Sequence, residues 1–130
     1  MTEPQHSPDI EVYLQSADTA PLKHWLDQRF PESAPAAWRP AGKRQAKALL
    51  RHNGKPVPVL IIEEASPGFL SVWFDSPHTP WTNDRACAHD MFADLGGVIR
   101  ATAGSWQEGE DPDSWWEISS AGERELHWPG

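Results

Sequence analysis

The dipeptide Asn53-Gly54 limits what this chain can fold into more than any other feature. A two-residue type I′ turn needs positive φ at both central positions, and Asn followed by Gly adopts that at low steric cost. Such a turn joins two antiparallel strands. Residues 57–64, after it, read as one of them, and residues 57–62 are apolar on both alternating sets, the pattern of an interior strand. Residues 43–52, before it, have a composition that also suits a helix, with Ala46, Leu49 and Leu50 on one face. The turn decides in favour of a hairpin.

The remaining elements follow from the same periodicities. Residues 11–16 read as a strand, with Val12 and Leu14 alternating against Tyr13 and Gln15. A helix follows, with Thr19 as N-cap, Pro21 in its first turn and Leu22, Trp25, Leu26 and Phe30 at helical spacing. Pro31 stops it, and residues 32–40 read as a Pro/Ala connection. Ser66-Pro67-Gly68 turns the chain into a strand over 69–75, with Leu70, Val72 and Phe74 on one face and Phe69, Ser71 and Trp73 on the other. A second helix is expected over residues 84–95, capped by Thr82 or Asn83 and ended by Gly96-Gly97, with Ala88, Met91, Phe92 and Leu95 as its buried stripe. Residues 98–103 form a strand, 104–114 a loop, and 115–119 with 124–128 a closing hairpin around Ala121-Gly122.

The order βαβββαβββ predicts an α+β domain: a mostly antiparallel sheet of about six to seven strands with two helices on one face. The domain is expected over residues 10–130, after a disordered tail over 1–9. Val12-Tyr13-Leu14-Gln15-Ser16 matches Val72-Trp73-Phe74-Asp75-Ser76 at an offset of 60 residues, and Thr19 matches Thr79. That is compatible with a degenerate βαββ duplication, or with two strand-to-helix junctions that share chemistry.

One cysteine, Cys87, excludes an internal disulfide. Residues 1–9 are polar and lack the basic start and apolar core of a secretory signal, and no run approaches the ~20 apolar residues of a membrane helix. Cytoplasm is therefore the expected location, with no membrane contact. The net charge of −8 is unevenly spread. Residues 38–55 carry Arg39, Lys43, Arg44, Lys47, Arg51 and Lys55 and no acid, whereas residues 63–130 carry thirteen acids against Arg85, Arg100 and Arg124.

Four groups could carry function. The first is tryptophan, with eight residues in 130. Trp25 and Trp73 read as core, while Trp115 and Trp116 are adjacent on a strand and must point to opposite faces. One of them then lies on the face without helices, where Trp106 and Trp128 could join it as a contact surface. Glu108, Glu110, Asp111 and Asp113 would form an acidic rim to that surface or balance the basic segment. They lack the ligand pattern of a calcium loop. The second group is the strand-to-helix loop 75–84, where His78 could act as acid or base, Asp75 or Asp84 could orient it and Trp81 could wall a pocket. The same residues also read as a stiff loop with a helix cap. The third is the basic segment 39–55, which could meet phosphates but has no interleaved aromatic residue between Gly42 and Lys55. The fourth is Cys87 with His89. Positions two apart on a helix lie about 200° apart around the axis, so the two cannot converge on one metal ion. A packed thiol is the expected role of Cys87.

No Gly-rich phosphate loop, Gly-x-Ser-x-Gly elbow, His-Glu-x-x-His or Cys-x-x-Cys occurs. No cofactor or metal is expected. The sequence is best read as a non-enzymatic protein-binding or regulatory module that meets a protein partner or a second copy of itself. A small-molecule pocket or small enzyme at 75–84 is the alternative. Nucleic-acid contact through 39–55 is the second alternative and an unfavoured one, given the acidic remainder of the chain.

Overall fold

A computed structural model describes residues 7–102 and 114–128 of the chain. Its elements are β1 (Ile10–Gln15), α1 (Ala20–Arg29), a 3-10 turn (Pro31–Ser33), β2 (Arg39–Gly42), β3 (Gln45–His52), β4 (Lys55–Ser66), β5 (Phe69–Phe74), α2 (Asp84–Leu95), β6 (Ile99–Thr102), β7 (Ser114–Ser119) and β8 (Gly122–His127). Asn53 and Gly54 form the turn expected of them, with φ of 52° and 76°, and His52 pairs with Lys55 across it. Residues 45–52 are therefore strand. The second helix occupies the expected span: the Asn83 side chain accepts a hydrogen bond from the Ala86 N–H at 2.8 Å, and Gly96 ends the helix at a φ of 64°.

Two local expectations are corrected. Thr19 does not cap α1, because its own dihedrals are already helical; the Asp18 carboxylate accepts from the Ala20 N–H at 3.0 Å instead. Residues 39–42, of which 39 and 40 were expected as the end of the connection, form an additional strand. They have no alternating apolar pattern and all four are exposed, so only pairing with β3 makes them a strand. Pro40 is tolerated because β2 is an edge.

The eight strands form one antiparallel sheet in the order β2-β3-β4-β5-β1-β6-β7-β8. The central pair is β1 with β5, and Val12 lies opposite Val72. The two segments that match at an offset of 60 residues are thus antiparallel neighbours, each leading into a helix. Beyond them the likeness ends. Strands β6, β7 and β8 run outward from β1 in chain order, whereas β2, β3 and β4 run inward towards β5. A βαββ unit copied twice would lay its later strands in the same sequence, so the repeat is confined to the two central strand-to-helix junctions.

Both helices cover the same face. Ile10, Val12 and Leu14 of β1, Leu70, Val72 and Phe74 of β5, and Val57, Val59 and Ile61 of β4 form one core with Leu22, Trp25 and Leu26 of α1 and Cys87, Ala88 and Met91 of α2. The helices are tied by an indole–carboxylate–guanidinium network. Arg29 donates to Asp90 at 2.7 and 2.8 Å and also contacts Asp94. The Trp81 Nε1–H donates to Asp90 and the Trp25 Nε1–H to Asp94, each at 2.9 Å. The two indoles stack at 5.6 Å. The hydrogen bond from Arg29 holds the Asp90 carboxyl below its ordinary range. Among the described residues no helix is long and apolar enough to cross a membrane.

Candidate functional site

Side chains that alternate away from the core make up the second face of the sheet, which carries no helix. Ring contacts divide it into two halves. Towards β1, β6, β7 and β8 it is covered by its own aromatic residues. Trp128, just past β8, turns back over the sheet and meets Tyr13 of β1, Trp115 of β7 and Phe69 of β5 with ring centroids 5.1, 5.1 and 5.3 Å away. Tyr13 and Trp115 touch edge to face at 5.3 Å. The Arg100 guanidinium lies 4.6 Å from the Phe69 ring centroid and 4.5 Å from that of Trp128, and its buried Nε has no hydrogen-bond acceptor. Arg100 and Arg124 share the buried Glu117 carboxylate, at 3.3 and 2.6 Å. Burial alone would raise the Glu117 pKa, but the Arg124 hydrogen bond and the charges of both arginines outweigh it and hold the carboxyl below its ordinary value.

Trp115 and Trp128 thus meet each other within the chain, together with Tyr13 and Phe69, which alternation had already set on the face away from Val12 and Leu70, and with Arg100, which the sequence had not singled out. Trp116 points to the helix side, where Arg85 lies 3.8 Å from its ring centroid and Glu123 accepts from its Nε1–H at 2.7 Å. Trp106, Glu108, Glu110, Asp111 and Asp113 lie outside the described residues.

The half formed by β2, β3, β4 and β5 is bare. Cross-strand pairing sets Arg39 beside Lys47, Lys47 beside Leu60 and Leu60 beside Trp73 in one row, with Leu49 beside Pro58 in the next. These side chains line an open groove with a volume of about 540 Å³, which Asp75 also lines. Leu49 is 56 % exposed and is the only large apolar side chain so exposed among the described residues. Trp73, read from sequence as core, is half-buried in this groove, and its Nε1–H donates to Asp9 at 2.8 Å. Asp9 thus bonds the domain from within the segment expected as a tail, as does Ser7, whose N–H donates to the Thr82 carbonyl at 2.8 Å.

The 75–84 loop does not bring its four candidates into one pocket. Asp75 lines the open-face groove. Trp81 is buried against Trp25, its polar edge taken by Asp90. Asp84 opens α2. His78 is exposed and borders a shallow depression of about 430 Å³ with His52, Asn53 and Lys55. On α2, Cys87 is fully buried and burial pushes its thiol well up, with the charges of Asp84 and Asp90 adding to the effect. His89 instead faces Glu123 at 3.0 Å, so the two side chains diverge as helix geometry requires.

Cation pairing follows the same division. Every Lys and Arg outside residues 39–55 is engaged: Lys23 with Trp38, Arg85 with Trp116, Arg29 with Asp90 and Asp94, and Arg100 and Arg124 with Glu117. Among the described residues, Arg39, Lys43, Arg44, Lys47, Arg51 and Lys55 have no ion pair and no ring contact. The architecture defines the class, an α+β domain with one antiparallel sheet covered by helices on a single face. The chain matches no protein-family model, no curated protein and no solved structure.

Proposed function

We propose that this domain is a non-enzymatic protein-recognition module that docks an apolar segment of a partner on the bare half of its open sheet face. The observation that carries the reading is Leu49, more than half exposed in a groove that also presents Pro58, Leu60 and Trp73. A lone exposed apolar side chain is ordinary, whereas apolar side chains exposed side by side mark a contact surface. The groove runs across four strands, from Arg39 of β2 to Trp73 of β5. It suits an extended segment lying across strands.

Peptide display against the immobilised chain, counter-screened on the Leu49→Asp variant, tests this. Enriched peptides that bind the parent and not the variant are expected, with both proteins melting cooperatively. Failure to enrich any peptide, or enriched peptides indifferent to Leu49, contradicts the reading. The depression beside His78 favours a second reading, a small-molecule site. It predicts that a metabolite screen yields a thermal shift that His78→Ala removes.

A further inference from the structure

We infer that the docked segment is acidic as well as apolar, its carboxylates directed towards Arg39 and Lys47. This rests on the reading of the bare half as a docking surface. The groove is polarised. Arg39 and Lys47 stand together at its β2–β3 side as a cross-strand pair, and Arg51 follows Lys47 and Leu49 on the same face of β3. Asp75 lines the opposite side, with Asp9 held there by the Trp73 indole.

The decisive contrast is with the rest of the molecule. This chain has nineteen acids and eleven Lys or Arg, so partners for cations are abundant, and the five cations outside residues 39–55 all have one. The six within that segment have none among the described residues, although like charges side by side repel. Two cations paired across strands beside an exposed leucine form a mixed surface. Apolar side chains of a partner would lie over Leu49, Pro58 and Leu60, and Asp or Glu residues next to them would reach Arg39 and Lys47.

A nucleic acid fits the same cations less well. The floor is aliphatic apart from Trp73, so successive bases find no stacking platform, and Asp75 and Asp9 would meet the phosphates of a strand crossing the groove.

The test uses the full chain and fluorescently labelled peptides of about six residues, long enough to span the groove at ~3.3 Å per residue. Three peptides share the same Leu and Phe positions and carry Glu, Ser or Lys between them. A single-stranded oligonucleotide is the fourth probe. The Glu peptide is expected to bind about tenfold tighter than the Ser peptide, as two partly screened charge pairs would give. That gain should vanish between ~0.02 M and ~0.5 M salt. The double variant R39E/K47E, checked for a cooperative melt, should prefer the Lys peptide. Equal, salt-insensitive binding of the Glu and Ser peptides overturns this inference while leaving apolar docking intact. Preference of the parent chain for the Lys peptide, or tighter binding of the oligonucleotide, overturns it as well. If no peptide binds, it is overturned, and the display selection on Leu49 decides separately whether docking itself survives.

Discussion

The two halves of the open face share one sheet and one alternating register, yet one is closed and the other is not. On the β1–β6–β7–β8 side, Trp128 folds back onto Tyr13, Phe69 and Trp115, and Arg100 and Arg124 both pair with Glu117. On the β2–β3–β4 side, Leu49 stands exposed between cations that pair with nothing described. A sheet with helices on one face leaves the other to be covered by side chains, by a partner or by water. Here the chain spends its aromatic and ionic contacts on one half and leaves the other half unsatisfied, which points to a role outside the fold.

The comparison can be broken most forcefully at Phe69. It is buried under Trp128 and Arg100, so Phe69→Ala should cost about 3 kcal/mol in urea unfolding. Trp128→Ala removes a half-buried ring from the same cluster and should cost about 1–2 kcal/mol, with new binding of an apolar dye. Glu117→Gln should reshape the pH dependence. The Glu117 carboxyl is held below its ordinary value of 4.5, so its stabilisation is present above that value and is lost as the pH falls through the lower, folded-state pKa. The parent should lose stability across that acid range, and the variant should lose less there. Leu49→Ser should have the smallest effect, within about 0.5 kcal/mol, because more than half of the side chain it shortens is already in water. If Leu49→Ser cost as much as Phe69→Ala, the bare half would be covered after all.

Much of the fold was legible because its signals are local. The span of α2 follows from Asn83 at one end and Gly96 at the other, and the β3–β4 hairpin from Asn53-Gly54. Strand β2 was not legible, since Arg39–Gly42 owes its conformation to pairing with β3 and not to its own pattern. The site was legible only in part. Trp115 and Trp128 were placed together by strand alternation, but the groove was hidden by residues that look like core. In residues 57–62 both alternating sets are apolar, which reads as a strand covered on both faces. Only the topology shows that no helix lies over Pro58 and Leu60, and that Leu49, which shares a helical face with Leu50 in sequence, lies on the opposite side of β3 from it. In the 75–84 loop, chemistry-bearing residues were close in sequence but were dispersed because Trp81 turns into the core while His78 and Asp75 face different depressions.

The tryptophans themselves supply the most direct test, because their indole N–H groups report separately on the two halves. In a ¹H–¹⁵N titration of the full chain with the Glu-bearing apolar peptide, the Trp73 indole signal and the amides of β3 and β4 should shift, while the Trp115 and Trp128 indoles stay in place. Shifts confined to Trp115 and Trp128 would move the docking surface to the covered half and contradict the account, and so would a peptide that binds with the Trp73 signal unmoved.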